Sequence, residues 1–284
     1  MIPAAAIVGG LVVGRVHAVV FAVVLGVVAT SIEHRWPRHA QPRKGWCRPT
    51  DLAFLISRPV LELLTVVVGF VLGFASLAWV PGVLIRPTIT AMHPAARVVV
   101  AFFAFDFAAY WAHRFVHRNA TMRRFHAVHH SSEQLDWLAA FRSHPLDGIA
   151  VAPAFSLLIA SGFSPKATGV FALVRLLIQA PQHMNVGWRL PHLGRVIVTP
   201  EFHHWHHDRR EAAHDRNFGS VLAIWDWMFG TAIALPGRPS SYGIDHYVTS
   251  GFAGLLVDPV AHAVRSRKNS APFHSPTAPV PTAV

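Results

Sequence analysis

Three groups of histidines carry the chemistry readable in this chain: His113-x-x-x-His117, His126-x-x-His129-His130 and His203-x-x-His206-His207. Neutral imidazole is the commonest protein ligand for iron, zinc and copper, and spacings of three and four residues put such ligands on one helical face. At about 100° per residue, His126, His129 and His130 fall within an arc of roughly 100°, and His203, His206 and His207 repeat it. Eight imidazoles exceed the needs of one ion. A lone histidine is more often an interfacial or hydrogen-bonded residue, and His17, His34, His39, His93, His192, His214, His246, His262 and His274 are read that way. Two copies of one three-histidine spacing plus an i, i+4 pair point instead to a metal oxidase.

The elements that must hold these groups are apolar. The 284 residues are 52% hydrophobic and 14% charged, with a mean hydropathy of +0.38, which places the chain in the membrane class. A single cysteine, Cys47, excludes an intramolecular disulfide or a cysteine zinc ribbon. The formal charge of +11 does not indicate a nucleic-acid partner, because the arginines sit in short runs beside apolar segments, where anionic headgroups and topology account for them. Three lysines against twenty-two arginines, with abundant Ala, Val and Gly, suggest a GC-rich bacterial genome.

A span needs about 20 apolar residues. Candidates run from about 7 to 31, which lacks the features of a cleaved signal peptide, from 59 to 80, ending at the breaker pair Pro81-Gly82, and from 95 to 113. Two shorter apolar segments, about 148 to 163 and 167 to 181, form a hairpin around Gly162-Phe163-Ser164-Pro165 that need not cross fully. The loop after the first span holds Arg35, Arg38, Arg43, Lys44 and Arg48, the next only Arg86 and Arg97, and the third span is followed by Arg114, Arg118, Arg123 and Arg124. Excess basic charge marks the cytoplasmic side, so the histidines are expected there, at a bacterial cell membrane. The expected fold is an all-α integral membrane protein of about four to five transmembrane or re-entrant helices with a histidine-rich helical cytosolic cap. Its divisions are 1–94 (N-terminal helices and basic loop), 95–235 (catalytic domain) and 236–284, with a disordered tail from about 264.

The runs HRFVHRNATMRRFHAVHHSSEQLDWLAAFRSHPLD, QHMNVG, TPEFHHWHHDRR and NFGSVLAIWDWMFGT resemble the fatty acid hydroxylase / sterol desaturase superfamily over roughly residues 97 to 235. The resemblance implies a helical membrane enzyme with two iron ions, zinc being the substitute metal, that uses O2 and two electrons to hydroxylate or desaturate a lipid C–H bond. It assigns His113 and His117 to the first box, His126, His129 and His130 to the second, and His203, His206 and His207 to the third. His183, the isolated histidine before the third box, becomes a ninth ligand. His144 also falls in a family-like motif, as ligand or supporting residue, and Asn185 of the QHMNVG run is grouped with it.

His204 lies about 60° beyond His207 on a helical wheel and is expected to be supporting or exposed. Asp106, two turns before His113, is costly in an apolar span and is expected to orient His113 or another ligand, or else to make a polar contact between helices. The chain shows no Gly-x-Gly-x-x-Gly fingerprint and no cysteine set for an iron–sulfur cluster, so a separate ferredoxin or cytochrome with its reductase is the expected electron donor. Competing readings are a zinc-dependent membrane hydrolase, which lacks its His-Glu-x-x-His, and a transport-type or non-catalytic metal-binding protein, for which ligands near mid-span are expected. The substrate is expected to be a lipid: sterol, hopanoid, fatty acyl, ether lipid or carotenoid.

Overall fold

A computed structural model of the chain describes residues 23–40, 49–163, 165–235, 238, 239, 241–244 and 251–269. Most of the expected first span (7–22) and the tail from 270 lie outside the described residues. Helix α1 covers residues 23–35, α2 Pro49–Ala75, α3 Trp79–Ala91, α4 Pro94–Arg118, α5 Ala120–His130, α6 Ala152–Ala160, α7 Pro165–His183, α8 Pro200–His206, α9 Ile224–Met228 and α10 Phe252–Asn269. Among the described residues there are no strands, only isolated bridges such as Pro37 with Val186.

Two helices, α2 with 27 residues and α4 with 25, are long and apolar enough to cross a bilayer. At about 1.5 Å per residue they reach roughly 40 Å and 37 Å, more than a hydrocarbon core of about 30 Å. Helix α2 turns Val60, Leu63, Val66 and Phe70 outward at 62–74% exposure, an apolar belt suited to lipid rather than water.

Helix α2 starts ten residues before the expected 59 and stops five before the expected 80. Pro81-Gly82 breaks nothing: it lies in the first turn of α3. Proline is tolerated there because its missing N–H would have had no intrahelical partner. Gly82 is a packing residue, since a Cβ would come within 2.5 Å of the Leu157 carbonyl of α6. The turn that separates α2 from α3 instead carries Leu77 at φ 57°. Gly73 repeats the close approach, its Cβ position 2.9 Å from the Ala152 carbonyl, so α2 and α3 both seat α6 through small residues. The apolar segments near 148–163 and 167–181 form α6 and α7, joined through Gly162 at φ 94°. Helix α10 carries Pro259 within it and continues to Asn269, past residue 264.

The α4–α5 corner depends on one residue. Asn119 ends α4, and its side chain accepts the Thr121 and Met122 N–H groups at 3.1 and 3.0 Å as the N-cap of α5. That corner folds the second histidine group back onto the first. Helix α8 is started by Thr199, whose hydroxyl accepts the Phe202 N–H, with Pro200 in the first position.

Candidate metal centre

Four helices bring nine histidines into two adjacent groups. His113, His117, His126, His130 and His206 form one; His129, His183, His203 and His207 form the other, and within each group one ring nitrogen per residue lies within 4.8 Å of the rest. These are the nine singled out from the sequence.

The hydrogen bonds fix which nitrogen faces inward. His113 Nδ1–H donates to the Phe218 carbonyl at 2.8 Å, and His126 Nδ1–H to the Asp147 carboxylate at 2.9 Å. His129 Nδ1–H donates to the Arg142 carbonyl at 3.1 Å, His183 Nδ1–H to Gln179 at 2.8 Å and His206 Nδ1–H to Arg216 at 2.7 Å. Those acceptors carry no proton, so each Nε2 presents a bare lone pair. Yet His113 Nε2 stands 3.1 Å from His126 Nε2, and His129 Nε2 stands 3.2 Å from His183 Nε2. Facing lone pairs repel unless a cation lies between them. Ligands about 2.1 Å from one ion, at tetrahedral or octahedral angles, sit roughly 3.0–3.4 Å apart. His117 Nε2, His130 Nε2 and His206 Nε2 are also buried without a hydrogen-bond partner. The donor set therefore fits bound metal.

Burial, reinforced by neighbouring rings, holds His129, His130, His203 and His207 well below the usual imidazole range. Burial takes His183 down to about 4 and His206 to about 3. Neutral rings keep the lone pairs that ligation needs.

One loop supports three rings of the five-histidine group. Asp215 Oδ1 lies 3.4 Å from His117 Nδ1, and the carbonyls of Arg216 and Phe218 hold His206 and His113. Asp215 and Asn217 adopt φ of 57° and 56°, a left-handed geometry that Asp and Asn tolerate better than most residues. Asn217 pins the loop by donating to the Phe202 and Ile233 carbonyls and accepting the Ile233 N–H. Asp226 accepts the Phe218 and Gly219 N–H groups and the Thr231 hydroxyl.

Asp106 touches no histidine. Its carboxylate accepts the Val221 and Leu222 N–H groups and the Trp225 indole at 2.9–3.0 Å, so it ties α4 to the segment that follows this loop rather than orienting a ring directly. His144 joins neither group: Nε2 bonds the Leu256 carbonyl at 3.0 Å and Nδ1 accepts the Leu146 N–H. His204 is fully buried, with Nδ1 2.8 Å from the Tyr242 hydroxyl, which also meets His39 Nε2 at 3.2 Å. Asn185 clamps the backbone of His39 in both directions and gives its N–H to the buried carboxylate of Glu33. Sequence reasoning missed Asp51, whose buried ion pair with Arg142 fixes the residue whose carbonyl holds His129. A carboxylate opening an otherwise apolar helix was the available signal.

Residues 98–231 match the fatty acid hydroxylase family. That segment belongs to the fatty acid hydroxylase / sterol desaturase superfamily. The chain is 33% identical over 178 residues to the ornithine lipid hydroxylase of Rhizobium tropici, covering 60% of this chain and 52% of that protein. It is 34% identical over 150 residues to the alkylglycerol monooxygenase of Homo sapiens, 53% of this chain and 33% of the relative. Methylsterol monooxygenase 2-2 of Arabidopsis thaliana is 27% identical over 145 residues, 48% and 52% of the two chains. The chain thus spans about half, or a third, of the length of these relatives. No solved structure matches it.

The fatty acid hydroxylase segment, α6 included, provides most of the lining of a cavity of about 780 Å³. His113 and His126 of the first group and His129 and His203 of the second line it, and α2 with Trp79 of α3 completes it. A space of this size suits a lipid-sized ligand.

Proposed function

We propose that the protein is a membrane-bound di-iron oxidase that hydroxylates, or desaturates, a lipid C–H bond. For hydroxylation the balance is R–H + O2 + two electrons + two protons giving R–OH + H2O, the electrons coming from a separate ferredoxin or cytochrome with its reductase. His113, His117, His126, His130 and His206 would hold one iron and His129, His183, His203 and His207 the other. Iron at these positions would supply O2 activation and hydrogen removal from an alkyl carbon.

The chain's own part is ligation, placement and exclusion of water. Carbonyls of Arg142, Gln179, Arg216 and Phe218 and the Asp147 carboxylate set the tautomers, so inward nitrogens are preorganised. The cavity walls of α2 and α6 seat the lipid against four of the histidines. In this reading α2 and α4 span a bacterial cell membrane, the α6–α7 hairpin dips into it, and the histidines form a cap on the cytoplasmic side, where the basic loops lie. The relatives' names, ornithine lipid hydroxylase, alkylglycerol monooxygenase and methylsterol monooxygenase, all describe oxygen insertion into a lipid and support the same class.

The observation that carries the reading is the pair of opposed Nε2 contacts, 3.1 and 3.2 Å, which a metal ion between the rings would stabilise. Metal analysis of the purified protein, together with O2-dependent oxidation of host lipid extract, tests it. About two irons per chain with lipid oxidation is the expected result; zinc with no oxidation under any reductant overturns it.

A further inference from the structure

The residues lining the cavity separate by depth. Helix α2 lines it from Arg58 to Phe74, a rise of about 24 Å. Thr65 donates to the Pro145 carbonyl, close to the histidine level, whereas Gly73, eight residues farther along α2, packs on Ala152 and Ser156 in the first half of α6. Phe70, Phe74, Trp79 and Ile159 therefore line the outer part, and Phe70 and Phe74 are 74% and 63% exposed. The polar lining residues are tied instead to the histidine-bearing elements. Arg175 Nε donates to the Ser220 hydroxyl at 2.8 Å, two residues beyond Phe218, whose carbonyl holds His113. Gln182, next to His183, donates to the Ser220 carbonyl at 2.7 Å.

Arg58 is paired with Glu62 and Asp147 with His126; among the described residues no carboxylate lies within ion-pair distance of Arg175, and Asp147, Asp106 and Glu62 act on it only from farther away. Arg175 is exposed on the cavity wall, and the part of its guanidinium fork not used on Ser220 suits a carboxylate or phosphate. Arg58 Nε is also buried without a partner on the same wall. A purely apolar substrate would make no use of these two guanidinium groups, whereas an anionic headgroup would.

We infer that the cavity takes an amphipathic lipid head-inward, its anionic headgroup, carboxylate or phosphate, held by Arg175 beside the histidines and its tail lying along α2 toward the bilayer. The inference rests on the lipid-oxidase reading, and it places the oxidised C–H bond near the headgroup rather than at mid-chain.

The test uses full-length, iron-loaded protein in dodecyl maltoside, measuring binding by thermal shift for dodecyl phosphate, laurate and dodecanol. Both anionic amphiphiles should bind at least about tenfold more tightly than dodecanol, as a charge-assisted contact predicts. Arg175→Gln should erase the preference and Arg175→Lys retain most of it, with iron content unchanged in both. Equal binding of dodecanol by the wild-type protein overturns the inference, as does a full preference in a folded Arg175→Gln variant. If the variants fail to fold, the wild-type ratio decides alone. Turnover of host lipid extract under 18O2 adds a second readout: label in the head-proximal fragment supports the inference, and label in the outer half of the tail overturns it. Anionic preference without any turnover counts against the oxidase reading and in favour of this one.

Discussion

The two histidine groups are built differently. The five-histidine group is gripped from outside: one loop, residues 215–218, meets three of its rings, and two carboxylates, Asp147 and Asp215, stand behind His126 and His117. The four-histidine group is wholly buried, and the outward contacts described for it are carbonyls, those of Arg142 and Gln179. Its His203 Nδ1 and His207 Nδ1 are buried with no partner at all. The first group is therefore preorganised by supporting residues, and the second depends on the ion to hold its rings in place. The largest expected effect follows from the count. His129→Ala leaves three ligands in the weaker shell, so bound iron should fall from about two to about one per chain by metal analysis, with activity lost. His130→Ala leaves four ligands in the braced shell and should retain most of its iron. Equal losses in the two variants would erase the distinction.

A smaller effect tests the carboxylates. Asp147→Asn keeps an oxygen that can accept the His126 Nδ1–H but removes the charge that makes the imidazole a stronger donor. Loss of such a supporting carboxylate typically costs about 10–100-fold in metal affinity or activity. Asp215→Asn should cost less, because Asp215 sits farther from its ring, 3.4 Å against 2.9 Å, and shares its charge with Arg123. Competition with a graded chelator measures both, and a larger effect at Asp215 would reverse the ranking.

Acid should act on the metal-free protein through both groups. Native His183 titrates near 4 and His206 near 3, because burial opposes their charged forms, while the unfolded rings titrate near 6.5. Between those values the unfolded chain binds more protons than the native one. The stability these neutral rings contribute is thus complete above about pH 6.5 and is lost as pH falls toward 4. Thermal melts of metal-free protein from pH 7.5 to 4.5 should show a falling Tm; a flat profile would mean the rings are hydrated rather than buried.

The contrast between the groups also explains what sequence could reveal. Histidine spacing is a side-chain code with helical periodicity, so eight of the nine residues that converge were legible from spacing alone, while the isolated His183 came only through the family resemblance. The supports were not, because most are main-chain carbonyls: nothing in the letters Arg142, Arg216 or Phe218 announces that their backbone oxygens face imidazoles. Asp106 was noticed for its cost in an apolar helix, yet its partners, Val221, Leu222 and Trp225, lie more than a hundred positions away. Pro81-Gly82 read as a break because the pair is locally a turn signal; only the approach of Leu157 shows why glycine stands there inside a helix. The apolar lengths of α2 and α4 were readable as span-sized segments, but their ends depended on caps and tertiary packing.

The smallest expected effect concerns His204, which shares a run with three converging histidines and joins neither group. Its Nδ1 meets the Tyr242 hydroxyl at 2.8 Å, Tyr242 meets His39, and His39 is clamped by Asn185 two residues beyond His183. The chain of contacts braces the back of the four-histidine group at the backbone and touches none of its inward nitrogens. Tyr242→Phe removes the hydroxyl, keeps the ring, and leaves His204 Nδ1 buried without its partner. A cost of about 1–3 kcal/mol is expected for such a group. Because the brace acts on the main chain near His183 and His203, bound iron should remain at about two per chain while the protein melts earlier. Loss of one iron in Tyr242→Phe would instead make His204 part of the four-histidine shell, and that shell would then match the other in ligand number.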